Sequence, residues 1–115
     1  MAQWPTYMDP VEARICDRLL TEILGNPDYQ VRVWDGEEWV TDWSRDRDLI
    51  QQRTALTEET CWSVRHRSQG RIGAYALIHG DHADVISNWV WVHDEAEATL
   101  EDLSKAALDL AKTLL

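Results

Sequence analysis

CWSVRHRSQGRIGAYALIHGDHADVISNWVWV, residues 61–92, decides the fold. Three β-type runs are separated by two short polar turns. Cys61–Arg67 leads to Ser68-Gln69-Gly70, Ile72–Ile78 leads to Gly80-Asp81-His82, and Ala83–Val92 closes the series. Connections this short join antiparallel neighbours, so the stretch predicts a β-meander. Side chains alternate along a strand, so Ile72, Ala74, Ala76 and Ile78 form one stripe, with Tyr75 and Leu77 on the other. Pairing His79 with Ala83 adds Ile86 and Val90 to the first stripe and Val85, Trp89 and Trp91 to the second. The small residues of the first stripe admit a closely packed helix. The second face is then left partly exposed and rich in Tyr and Trp, as interfaces are.

Upstream, residues 29–41 read as a hairpin. Val31-Arg32-Val33-Trp34, then Asp35-Gly36, then Glu37-Glu38-Trp39-Val40 is a strong local signal for it. A two-residue loop pairs Trp34 with Glu37 and Arg32 with Trp39. One face is then Tyr29, Val31, Val33 and Val40, and the other is a Trp34/Trp39 pair on which Arg32 stacks.

Helices flank these strands. Asp9-Pro10-Val11-Glu12 is an N-cap, a first-turn proline and an acidic third position. Val11, Ile15, Cys16, Leu19, Leu20, Ile23 and Leu24 then recur at helical spacing, and Gly25-Asn26-Pro27 predicts a left-handed cap and a stop. Ser44 caps a short helix over Arg45–Arg53. Thr57-Glu58-Glu59 reads as a turn. Asp94-Glu95-Ala96-Glu97 opens a last helix with Leu100, Leu103, Ala107, Leu110 and Leu114 at 3-4-3-4 spacing. The expected order is α-β-β-α-β-β-β-α: one α+β domain over residues 1–115, with an antiparallel sheet of about five strands packed against two main helices.

Charge sets the class of ligand. Eleven basic against twenty-one acidic residues give −10, shared equally between Met1–Thr57 and Glu58–Leu115, so the negative potential belongs to the folded body. Such a surface attracts basic proteins and disfavours nucleic acid as a direct ligand. Seven Trp and three Tyr with no Phe suit half-buried surfaces better than a dry core. No apolar run is long enough to span a membrane, and the opening residues have no signal-peptide pattern, so a cytoplasmic protein is expected. Cys16 and Cys61 lie in apolar patterns and read as buried thiols in a reducing compartment.

Catalytic motifs are missing: there is no G-x-S-x-G, phosphate loop or dinucleotide fingerprint, so the expectation is a non-enzyme with no cofactor. His79-Gly80-Asp81-His82-Ala83-Asp84 has metal-ligand composition and supports an alternative, a metal-dependent enzyme or metal sensor at the His79/His82 turn. The simpler reading is a polar turn. A second alternative is a homodimeric structural or regulatory domain. Asp94, Glu95, Glu97, Glu101 and Asp102 complement a helix N-terminus. Asp35, Glu37, Glu38 and Asp42 beside Trp34 and Trp39 form the leading partner-binding candidate, with Trp89 and Trp91 as the second patch.

The hairpin Val-Trp-Asp-Gly-Glu-Glu-Trp (33–39), the strand Asp84-Val-Ile-Ser-Asn and the closing amphipathic helix resemble small acidic proteins of bacteriophages and mobile elements, including anti-CRISPR and other anti-defence inhibitors. The resemblance spans Val31 to the C-terminus and carries no functional motif. It implies an inhibitor that occupies a basic, nucleic-acid-binding surface of a host defence protein.

Overall fold

The computed structural model describes residues 4–5, 8–80 and 84–114. The elements are α1 (Pro10–Leu24), β1 (Tyr29–Trp34), α2 (Arg47–Gln52), β2 (Glu59–His66), β3 (Gly70–Ile78), β4 (Ile86–Trp91) and α3 (Asp94–Leu114). They make an α+β fold in which one antiparallel sheet runs in the order β1-β2-β3-β4.

Local chemistry explains most boundaries. The Asp9 carboxylate accepts the Val11 N–H at 2.8 Å and starts α1, which buries Ile15, Cys16, Leu19, Leu20 and Ile23. Gly25 ends it in right-handed geometry (φ −63°), not in the left-handed cap expected, and its N–H bonds back to Thr21 O at 2.9 Å. α2 is shorter than Arg45–Arg53 because Asp46, not Ser44, is its N-cap. Ser44 instead pairs with Val31. The Arg45 guanidinium donates to the carbonyls of Leu24, Asn26 and Tyr29 at 2.8, 2.7 and 2.6 Å.

Four strands form where about five were expected, because the returning arm of the hairpin is reduced to single bridges, Trp34↔Trp39 and Val31↔Ser44. Asp35 Oδ1 accepts the N–H groups of both Glu37 and Glu38 at 2.8 Å, and Gly36 takes φ +104°. That side-chain nucleus makes a four-residue turn in place of the two-residue loop and puts Trp39, not Glu37, opposite Trp34. The Val33 N–H then goes to Thr41 Oγ1 at 3.0 Å rather than to a backbone carbonyl, which interrupts the ladder.

The meander forms as expected, with shifted ends. β2 starts at Glu59, so that residue belongs to the strand and not to a turn. β4 covers Ile86–Trp91 rather than Ala83–Val92, and the expected His79–Ala83 pairing involves a residue outside those described. A register shift between Ala76 and Leu77 pairs Ile86 with Leu77, so Ile86 leaves the small-residue stripe, while Val90 stays opposite Ala74.

The helices cover the face opposite to the one expected. They lie over Tyr75, Leu77 and Trp89, and the small-residue face is free of them. The covered face carries the fully buried Val31, Val33, Trp62, Val64, Tyr75 and Leu77, and Gly73 gives α3 room to seat on it: a Cβ there would come 2.5 Å from Leu100 Cδ1 and 2.2 Å from Val90 O. The buried Tyr75 hydroxyl donates to Leu100 O, which gives the aromatic stripe a polar anchor in α3. Trp62, fully buried, stacks on Trp4 at 6.1 Å and donates its indole N–H to Thr54 Oγ1 at 3.1 Å.

Candidate functional site

The helix-free face is organised in rows by the strand register. Gln30, Arg65 and Arg71 form one row. Arg32, Ser63, Ala74 and Val90 form the next, and Trp34, Cys61, Ala76 and Asn88 the third. Ser63 and Ala74 are nevertheless buried. Long side chains roof them. The Arg32 guanidinium lies over the Trp39 ring at 4.2 Å, and that of Arg65 lies over Trp43 at 4.7 Å. Trp34 meets Trp39 edge to face at 5.1 Å. An arginine–tryptophan layer therefore takes the place of a second helical layer, with the Arg32 and Arg65 guanidiniums lying on indole rings. The expected stacking of Arg32 on a Trp34/Trp39 pair is present despite the changed register, because a shift of two residues preserves the face.

One end of this face is acidic. Glu37 and Glu38 are exposed on the hairpin tip, and Glu37 lines a shallow depression of about 340 Å³ with Asp35 and with Glu58 and Glu59 from the start of β2. None of these four glutamates has an ion-pair partner among the described residues. Asp35 and Asp42, expected to touch a partner, act locally. Hydrogen bonds from the Glu38 and Glu37 N–H groups hold the Asp35 carboxyl below its ordinary value, and Asp42 Oδ1 accepts the Trp43 N–H at 2.8 Å. Glu58 and Glu59 were hidden in the sequence, since a turn of Thr-Glu-Glu has no signal for the hairpin tip beside it.

The other end is basic. Arg65 and Arg71 are ladder partners, an arrangement of like charges that typically costs a few tenths of a kcal/mol to ~1 kcal/mol. Each is tethered through Nε: Arg65 to Gln30 Oε1 at 2.7 Å, Arg71 to Ser63 Oγ at 2.9 Å. Arg32 Nε is buried without a hydrogen-bond partner. No carboxylate pairs with any of the three among the described residues. Cys61 shares the face. Burial pushes its thiol up, and the Arg71 charge offsets part of that rise.

Trp89 and Trp91 lie away from this layer. Trp89 is half-buried against Tyr75 (6.3 Å) and lines a groove of about 470 Å³ with Ser104, Lys105 and Leu108 of α3. Trp91 is 43% exposed between Val90 (54%) and Val92 (55%) at the end of β4. The second patch is thus an edge, not an open aromatic face, and the structure does not bring it together with Trp34 and Trp39.

His79, half of the proposed metal turn, is engaged elsewhere. Its Nδ1 faces the buried Glu12 carboxylate, and its Nε2 is 2.7 Å from Thr60 Oγ1, which accepts the Ala55 N–H at 3.0 Å. Glu12 Oε2 also accepts the Gly80 N–H at 3.2 Å. Both ring nitrogens are occupied, so His79 is no free ligand, and the described residues contain no group of three that could hold a metal ion. His82 and Asp81 lie outside those described. The carboxylate–imidazole–hydroxyl order has the form of a catalytic relay, but Thr60 is 1% exposed and its oxygen already accepts a backbone N–H. The relay ties α1 to the β2–β3 pair. Both cysteines are free, Cys16 fully buried and Cys61 partly so. No helix is long and apolar enough to cross a membrane.

No protein-family model, curated protein or solved structure matches the chain.

Proposed function

We propose that this protein is a non-catalytic binding module that recognises a basic surface on another protein through its acidic hairpin end. The observation that carries the reading is the juxtaposition of free carboxylates with fixed indoles. Glu37, Glu38, Glu58 and Glu59 stand exposed at the same end of the face as the Trp34/Trp39 pair clamped by Arg32. Carboxylates at a rim set encounter rate and orientation, and a desolvated indole holds the complex. A groove evolved to hold nucleic-acid phosphates is the kind of basic surface such an end fits, which makes an inhibitor of a nucleic-acid-binding defence protein the most specific form of the proposal. The test is capture of the partner by the chain and by two variants, followed by surface-binding kinetics. Glu37→Lys with Glu38→Lys is expected to slow association, most strongly at low salt. Trp39→Ala is expected to raise the dissociation rate, equivalent to ~2 kcal/mol. Folded variants that bind as the parent does would overturn the reading.

A second reading, a homodimer, is favoured by the edges of the sheet. The outer edge of β1 is closed by Ser44 and Arg45, whereas β4 has β3 as its one sheet neighbour among the described residues and carries Val90, Trp91 and Val92 exposed. An open apolar edge is a template for another strand. Sedimentation across a concentration series, with Val92→Lys as the blocking variant, separates the two readings: the homodimer requires a mass that rises with concentration and returns to the monomer in the variant.

A further inference from the structure

We propose that the basic end of the open face is a site for a nucleoside monophosphate, with Arg65 and Arg71 holding the phosphate and the Arg65-capped Trp43 ring as the platform for the base. Three observations converge. The first is charge without neutralisation: Arg65 and Arg71 stand opposite one another across the β2–β3 ladder in a chain of twenty-one acidic residues, and no carboxylate reaches either among the described residues. The second is preorganisation. Both guanidiniums are tethered through Nε alone, to Gln30 and to Ser63, so each is oriented while its two terminal nitrogens have no partner among the described residues. A phosphate dianion, with two charges and three terminal oxygens in a tetrahedral array, matches two such forks in both charge and geometry better than a single carboxylate does. The third is an aromatic platform at the same place: the Arg65 guanidinium lies on the half-buried Trp43 ring at 4.7 Å, and bases stack on arginine planes and indoles alike.

Net charge selects the free nucleotide over a nucleic-acid strand. A body of −10 repels a ligand in proportion to the ligand's own charge, so a mononucleotide meets little opposition and a polyanion meets much. Glu59, on the same face but at the opposite end of β2, and the hairpin glutamates beyond it would face any strand that extended past the arginines.

The inference does not depend on the protein-binding reading. It uses the other end of the face and is tested with this chain alone. Calorimetry and indole N–H resonances are followed on titration with adenosine monophosphate, inorganic phosphate, adenosine and a short single-stranded oligonucleotide. Adenosine monophosphate should bind saturably and shift the Trp43 indole resonance, and adenosine or phosphate alone should bind more weakly. Arg65→Gln and Arg71→Gln, each keeping a polar side chain, should each weaken binding by about tenfold or more, the scale of a lost charge-assisted hydrogen bond. Arg67→Gln, at the β2 end but paired with Asp28 at 2.9 Å, should change nothing. Saturable binding that survives both Arg65→Gln and Arg71→Gln would overturn the assignment, as would the absence of saturable binding by a folded chain. An oligonucleotide bound at least about tenfold tighter than the mononucleotide would overturn the choice of ligand.

Discussion

Gly73 lets α3 and β4 approach β3 closely, and its requirement is steric rather than conformational. Replacing it by alanine drives a methyl group into the Val90 carbonyl, a backbone atom that cannot turn away. Gly73→Ala is therefore expected to cost at least ~2–3 kcal/mol, read as a lowered denaturation midpoint with α3 contacts loosened first. Glu12 is a second such residue. Glu12→Ala leaves His79 Nδ1 and the Gly80 N–H without their acceptor in a site that water barely enters, a loss of ~3–5 kcal/mol measurable by denaturant unfolding. The cysteines give a reactivity contrast. Burial pushes the Cys16 thiol far above its ordinary value, with the Glu12 and Asp17 charges adding to the effect, and the less buried Cys61 is also raised by burial, with Arg71 opposing the rise. Alkylation at neutral pH should modify Cys61 slowly and Cys16 only at the rate of global unfolding, as peptide mapping would resolve.

At the level of elements, the hairpin is held by one carboxylate. Asp35 is depressed below its ordinary 3.8 because its charged form accepts the Glu38 and Glu37 N–H groups. A depressed folded value means that this contribution is complete above the unfolded value and is lost as pH falls through the folded one. The amide resonances of Glu37 and Glu38 should hence titrate with a midpoint below that of an ordinary aspartate, while Asp35→Ala should open the turn at every pH. The missing fifth strand has its cause in the same element. Thr41 supplies a hydroxyl where a ladder needs a carbonyl, and neither alternation nor the Asp-Gly signal reveals that exchange. The two edges differ for a related reason: Arg45 fills three carbonyls beside β1, whereas on β4 Asn88 Oδ1 accepts only the neighbouring Trp89 N–H, at 2.9 Å.

Across the whole molecule, charge and size meet on one length scale. The radius of gyration is 13.0 Å, comparable to the screening length of ~10 Å at 0.1 M salt, so the −10 body repels itself across its full width only when salt is low. The melting temperature should rise between low and moderate ionic strength. A flat response would mean that the carboxylates are compensated locally. The same charge is unevenly spread over the open face, acidic at the hairpin end and basic at Arg65 and Arg71, and the two proposals rest on that polarity rather than on the total.

Local sequence determined the elements: Asp9-Pro10 and the apolar spacing gave α1, the short polar turns gave the meander, and the Leu/Ala spacing gave α3, because caps, turns and periodicity act within a few residues. It also placed Arg32, Trp34 and Trp39 on one face, since that follows from alternation alone. Tertiary structure decided the rest. The close seating of α3 on β3 depended on the fit between Gly73 and Leu100, twenty-seven positions apart in the chain by numbering. Glu58 and Glu59 reached the hairpin tip, Arg71 met Arg65, and Glu12 found His79 only when distant segments packed. Each of these pairings joins residues whose spacing carries no local signal, and each was fixed by steric fit and by the need to satisfy buried polar groups.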